Sequence, residues 1–185
     1  MTKGEISYQS YLKGDDSAFD TVVEVYYDNL LFFINSYVHN LADAEDLAID
    51  TLLQLVIHKK RYNFKTSLKT YLFTIGRNKA LNFLKHSKVH REEKLEDSKN
   101  SIENKDYNSL EENIITDEKK RNVHRALSNL PKDMATALYL VYFEGLSYED
   151  TASVMKKRKK QVDNLIYRGK NEMKKFIDRE GELLL

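Results

Sequence analysis

Apolar residues recur at helical spacing through most of the chain, and no stretch alternates with period two, so the pattern predicts an all-α protein. A first short helix is expected over 6–12, ended by Gly14, and Asp15, Asp16 and Ser17 offer N-caps to a second over 18–37. Asp43 is the expected cap of a third helix, with Glu45 and Asp46 in its first turn, where carboxylates favour the helix dipole. The buried stripe of that helix is expected to be Ile49, Leu52, Leu53 and Val56, spaced i, i+3, i+4, i+7. A loop over 62–66 then leads into a helix over 67–86, with Leu68, Leu72 and Ile75 facing inward.

From residue 88 the pattern is lost. The stretch to 113 is polar, acidic and aperiodic, and reads as a linker, with a fraying extension of the preceding helix as the alternative. Helices are expected again near 115–129 and 132–143, the second begun by Pro131, where no N–H donor is needed. Ser147 and Asp150 have capping-box spacing and open a short helix to about residue 155. The last helix is expected over 159–178, stopping before Gly181. The expected organisation is therefore two small helical domains, 1–87 and 114–185, joined by a linker over 88–113.

Composition narrows the chemistry. Among 185 residues there is no Cys, which excludes a disulfide scaffold, a thiol nucleophile and any Cys-bearing metal site. The longest uninterrupted apolar run, 30–34, falls far short of the roughly 18 residues of a membrane span. The N-terminus lacks the apolar core of a signal peptide, so a soluble cytoplasmic protein is expected.

The formal charge of +1 conceals strong segregation. Residues 1–57 hold two basic and ten acidic side chains, and 58–91 hold ten basic and none acidic. Residues 92–118 are acidic again, with three basic and ten acidic side chains, and 156–185 hold ten basic and five acidic. Two basic blocks on predicted helices, separated by an acidic one, point to two contacts with nucleic acid.

The second basic block has the proportions of a helix-turn-helix: a support helix over 147–155, a turn at Lys156-Lys157-Arg158, and a longer helix from Lys159. Val162, Ile166, Gly169 and Met173 form its inward face, which leaves Lys160, Asp163, Asn164, Tyr167, Arg168 and Asn171 outward. Lysines near such a helix start can neutralise phosphates, while Asn and Arg can bond base edges in the major groove. Gly169 would allow another helix to approach closely. In the first domain, Asp43, Asp46, Asp50 and Gln54 lie along one side of the third helix, and could be a solvated face or a site for a basic partner. On the next helix Thr70, Thr74, Arg77, Asn78, Leu81 and Lys85 share a face, and the loop aromatics Tyr62 and Phe64 could stack on an unpaired base.

These segments resemble a family. DAEDL at 43–47, continuing to Asp50-Thr51-Leu52, is similar to the core-polymerase-binding motif of the extracytoplasmic-function (ECF) sigma factors. SLKTYLFTIGRNKALNFLK at 67–85 is similar to their minus-10 element, and the run from Leu127 to Met155 followed by KQVDNLIYRGKNEMKKFI is similar to their minus-35-binding helix-turn-helix. The resemblance spans about 6–86 and 115–178, in the family's order, with the linker between.

It implies a promoter-recognition subunit of bacterial core RNA polymerase, with promoter DNA and an anti-sigma factor as partners, and with no cofactor, metal or enzymatic activity. Polymerase docking would fall to Asp43, Asp46, Asp50 and Gln54, and minus-10 binding to Tyr62, Phe64, Lys69, Thr74, Arg77, Asn78 and Lys85. Minus-35 binding would fall to Lys159, Lys160, Asn164, Tyr167, Arg168 and Asn171. The acidic linker would pass along the polymerase's RNA channel.

Some positions depart from the family pattern. Tyr71 stands where Trp is common and is expected to be partly core; Ile49 stands where Gln is frequent. Asp163 replaces a usually basic residue of the recognition helix, and Lys156 takes a turn position often held by Gly. The main alternative is a stand-alone helix-turn-helix regulator with a sensing or dimerising N-terminal domain. A metal enzyme is a remote one: His86 and His90 are spaced i, i+4, but no Glu follows His86 in an HExxH pattern.

Overall fold

The computed structural model describes the backbone over 1–95 and 127–183, and side chains over 1–88 and 127–175. Every regular element among these residues is helical, as the patterning predicts, and the chain divides into two units, 1–108 and 109–185.

In the first unit, α1 (Lys3–Leu12), α2 (Ala18–Val38), α3 (Leu41–Ile57) and α4 (Leu68–Leu95) surround a single core. Helix α2 packs against each of the other three. It buries Val22, Tyr26, Leu30, Phe33, Ile34 and Tyr37, with Phe33 meeting Phe73 of α4 at 4.9 Å between ring centroids. Each such buried side chain contributes about 1.5–3 kcal/mol by leaving water. Small residues set the closest approaches. A Cβ on Gly76 would lie 3.3 Å from Ile34, and one on Gly4 would lie 2.4 Å from the Tyr26 ring.

Several boundaries differ from the patterning. Helix α1 begins three residues early because Thr2 and Glu5 close a capping box: Glu5 N–H donates to Thr2 Oγ1 (3.3 Å) and Thr2 N–H to Glu5 Oε2 (2.9 Å). Ser17 precedes α2 but donates its hydroxyl to Asp15 (2.7 Å) and caps nothing. Asn40, not Asp43, caps α3, with its Oδ1 accepting from Asp43 N–H at 3.2 Å; Asp43 is the acidic residue of the first turn.

The buried stripe of α3 is Ala44, Ala48, Thr51, Leu52 and Leu55. Of the four positions expected there, only Leu52 is buried, while Ile49 and Leu53 face solvent. The inward face of α4 is Leu68, Leu72, Phe73, Gly76 and Ala80, with Ile75 half-buried. The helix continues to Leu95, so the extension alternative holds over 88–95; the remainder of the expected linker lies outside the described residues.

In the second unit, Pro131 stands at the N-cap of α5 (Lys132–Leu138), and the chain widens into a π-helical turn over Tyr139–Phe143. Glu144 is buried there and accepts from the Tyr139 hydroxyl at 2.7 Å. Most of the helix expected near 115–129 lies outside the described residues. Ser147 caps α6 (Tyr148–Met155), its Oγ accepting from Asp150 N–H at 3.0 Å while its hydroxyl donates to the Asp150 carboxylate at 2.7 Å. Helix α7 (Lys159–Leu183) runs past Gly181, further than expected. Between α6 and α7 the backbone turns at Lys156 with φ +53°, a left-handed conformation that favours glycine.

Two stability changes are expected. Gly4→Ala drives a methyl into the buried Tyr26 ring, lowering stability by about 1–2 kcal/mol despite the better helix propensity of Ala. Lys156→Gly relieves the left-handed turn and adds about 0.5–1 kcal/mol. Denaturant unfolding of each variant checks both.

Candidate polymerase and nucleic-acid interfaces

With Ala44, Ala48, Thr51, Leu52 and Leu55 turned into the core, the opposite side of α3 carries two adjacent rows. Ile49, Leu53 and Ile57 form an i, i+4, i+8 row, and they are 47%, 42% and 64% exposed. Beside it run Asp46, Asp50 and Gln54; the two carboxylates are exposed and Gln54 is partly so. Asp43 sits half-buried at the start of the same side. Asp50 accepts from Lys79 of α4 at 3.1 Å, an ion pair that joins the acidic helix to the basic one. Helical spacing places Ile49 and Leu53 in the buried stripe and gives Ile57 no role, so patterning does not reveal this apolar row. The small-residue stripe at 44, 48 and 51 is the signal that would have found it.

The α3–α4 connection brings together some of the predicted minus-10 residues and separates others. Tyr62 is buried, not available for stacking: its hydroxyl donates to Thr66 C=O at 2.8 Å and its ring packs on Tyr71 at 5.1 Å and Tyr8 at 5.9 Å. Tyr71, on the first turn of α4, is partly core as expected. Burial raises the Tyr62 phenol and pushes that of Tyr8 up to about 12, so both remain donors at neutral pH.

Phe64 is 43% exposed, with φ +59°, a conformation a bulky residue rarely adopts. Its ring rests on Tyr62 at 4.5 Å, with Tyr8 at 6.5 Å. Thr70 is buried against Ser67, and the half-buried Thr74 hydroxyl donates to Thr70 C=O at 2.7 Å, which commits its proton and leaves its oxygen as an acceptor. Lys69, Arg77 and Asn78 are half-exposed and Lys85 is exposed. Arg77 keeps its Nε buried without a hydrogen-bond partner among the described residues.

On α7 the inward face is Val162, Ile166 and Gly169, with Met173 half-buried, as expected. A Cβ on Gly169 would lie 2.9 Å from Leu138 and 3.4 Å from Met134, so this glycine sets the spacing to α5. Lys160, Asn164, Tyr167, Arg168 and Asn171 all face solvent, and Tyr167 is 69% exposed. Lys159 instead pairs with Glu149 of the support helix, and that ammonium holds the Glu149 carboxyl below its ordinary range. Asp163 is exposed one turn further on. Lys170 lies 4.7 Å over the Tyr142 ring, and Tyr142 and Phe143, the last residues of the π-helical turn, are exposed.

Among the described residues no three His, Asp or Glu side chains gather as metal ligands, and no helix is long and apolar enough to cross a membrane. The geometry is that of three separate exposed surfaces, one acidic and apolar and two basic.

Comparison with known proteins places the chain in a family. Residues 22–89 match Sigma-70 region 2, and residues 120–173 match Sigma-70, region 4. The chain is 32% identical over 175 residues to the RNA polymerase sigma-H factor of Pseudomonas aeruginosa, covering 89% of each chain. It is 29% identical over 149 residues to the ECF RNA polymerase sigma-E factor of Haemophilus influenzae, covering 77% of this chain and 78% of the other. Its fold is similar to the sigma factor RpoE of Bartonella quintana, solved with the anti-sigma factor NepR, with a TM-score of 0.62 and 24% identity over 86% of this chain and 96% of that one. It is also similar to CnrH, solved with the cytosolic domain of CnrY, with a TM-score of 0.66 and 17% identity over 96% and 99%. The chain belongs to the ECF family of RNA polymerase sigma factors.

Proposed function

We propose that the outward face of α3 docks this sigma factor on bacterial core RNA polymerase, that Phe64 and the basic face of α4 capture the unpaired minus-10 strand, and that α7 reads the minus-35 duplex. The observation that carries this is the exposed row Ile49, Leu53 and Ile57 beside Asp46 and Asp50. An apolar row flanked by carboxylates fits an amphipathic, basic helical surface, and leaving three large aliphatic residues in water is otherwise costly.

The work is differential binding, not catalysis. Docking on polymerase fixes both DNA-binding units on one body, so weak contacts add through effective concentration. Arg77, Asn78 and Lys85 supply phosphate and base-edge contacts to the separated strand, and the exposed part of Phe64 offers a stacking surface. That surface is available only to a base outside the duplex, so it shifts the population toward open DNA, offsetting an unstacking cost of a few kcal/mol. On α7, Asn164, Tyr167, Arg168 and Asn171 address base edges, while Lys160 addresses the backbone. Lys159 is held by Glu149 and contributes less than the sequence alone suggests. Such a subunit works in the cytoplasm, where polymerase is. An anti-sigma factor is a further partner, and covering the same α3 row would let it compete with polymerase.

Asp46→Lys and Leu53→Ser alter exposed positions, so the fold should persist. Each is expected to weaken binding to core RNA polymerase at least about tenfold, read by fluorescence anisotropy at two salt concentrations. Failure of the folded wild-type protein to bind core polymerase would overturn the docking proposal. In the complex with polymerase, Arg168→Ala is expected to cost about 1–3 kcal/mol of minus-35 binding and relax base preference there. Lys160→Ala should weaken all sequences alike and reduce the salt slope by about 1.

A further inference from the structure

Helix α1 precedes the part of the chain that matches Sigma-70 region 2, which begins at residue 22. One face of α1 nevertheless engages the α3–α4 connection at several points. Glu5, Tyr8 and Tyr11, spaced three residues apart, lie along that face. Glu5 Oε1 accepts from the backbone N–H of Leu68, the first residue of α4, at 3.0 Å across 63 residues of sequence. The other Glu5 oxygen closes the capping box of α1, so one carboxylate terminates two helices. Ser67 Oγ takes the next open donor of α4, Thr70 N–H, at 3.0 Å.

The buried Tyr8 hydroxyl donates to Leu55 C=O at 3.0 Å, holding the end of α3. Its ring packs on Tyr62 at 5.9 Å and lies 6.5 Å from Phe64. Lys59, at the start of the connection, sits 4.1 Å over the Tyr11 ring. The connection is bonded within itself by Arg61 N–H to His58 C=O (2.8 Å), the Tyr62 hydroxyl to Thr66 C=O (2.8 Å) and Lys65 N–H to Asn63 Oδ1 (3.1 Å). Helix α1 adds the bonds at its two flanking helix ends and the Tyr8 ring beside Tyr62. Phe64 holds a left-handed backbone conformation that the Asn63 turn supports locally and the aromatic rings beneath it support from α1 and α4.

We propose that α1 is a strap that positions Phe64, and that Glu5, through Leu68 N–H, is its principal positioning residue for capture of the unpaired minus-10 base. This rests on the base-capture reading of Phe64. Glu5 never meets DNA: it closes the N-terminus of α4 and so fixes where the loop ends and where the Phe64 ring stands. A displaced stacking surface captures a flipped base less well, whereas the outward face of α3 and the whole of α7 are untouched. Loss of the Glu5 contact alone, with the Tyr8 bond to α3 intact, should therefore impair opening selectively. A merely stabilising contact would impair every function together.

The test uses the full chain bound to core RNA polymerase, with a promoter duplex selected by the wild-type complex from a randomised library. 2-Aminopurine in the non-template minus-10 strand reports base extrusion, and anisotropy reports core binding. Glu5→Ala is expected to lower the opening equilibrium about fivefold to tenfold, the scale of a lost helix cap, with core affinity within about twofold of wild type. Glu5→Gln has a single acceptor oxygen for two donors, Leu68 N–H and Thr2 N–H, so it is expected to fall between Glu5→Ala and wild type in opening. Glu5→Ala combined with Phe64→Ala should be no worse than Phe64→Ala alone, since both act through one ring.

Opening by Glu5→Ala equal to wild type, while Phe64→Ala is defective, would overturn the strap and leave base capture standing. Parallel loss of opening and core binding in Glu5→Ala would reduce α1 to a general stabiliser and also overturn it. Wild-type opening by Phe64→Ala would remove the base-capture reading, and the strap with it.

Discussion

Helix α2 carries apolar side chains around most of its circumference, and burying them requires three partners at once. Helices α1, α3 and α4 each supply one face, so each keeps another face in water. The outward surfaces of the first unit follow from that demand. Helix α3 packs on α2 with the small residues Ala44 and Ala48 buried, and its larger residues Ile49, Leu53 and Ile57 are left outside. Burial of small residues in place of large ones is favourable only if the backbones gain contact, and the neighbouring Leu52 and Leu55 complete that contact.

The same economy shapes the second unit. Gly169 brings α7 against Leu138 and Met134, and Lys156 turns the chain in a left-handed conformation between the support and recognition helices. With Val162 and Ile166 committed to the core, the polar side of α7 has no choice but to face solvent. Its charge is not uniform, because Glu149 of α6 engages Lys159 and Asp163 adds a carboxylate one turn later. Basic content alone therefore overstates the cation density at the start of the recognition helix; position relative to the support helix determines which ammonium groups are unpaired.

Long-range contacts also organise the loop proposed to hold the unpaired base. Tyr62 and Phe64 are two residues apart and chemically alike, yet one is core and the other exposed. Tyr62 closes onto Thr66 and the rings of Tyr8 and Tyr71, and Phe64 lies across it with its backbone inverted. An aromatic floor with a single exposed ring suits stacking, because its rigidity means that little conformational entropy is lost when a base arrives.

The sequence by itself determined that the chain is helical, the order of its elements, the segregation of its charge and the outward face of α7. Those features are local: helical periodicity, cap spacing and a helix with one apolar stripe admit one answer. Family membership was legible for the same reason, since the motifs at 43–52, 67–85 and 127–177 are local strings. The tertiary structure alone decided which of two stripes α3 buries, which loop aromatic is exposed, and that Glu5 closes a helix 63 residues away. Each of these is settled by a partner remote in sequence, and a helix with apolar residues on two sides has no local preference between them; only the shape of α2 made one side the core.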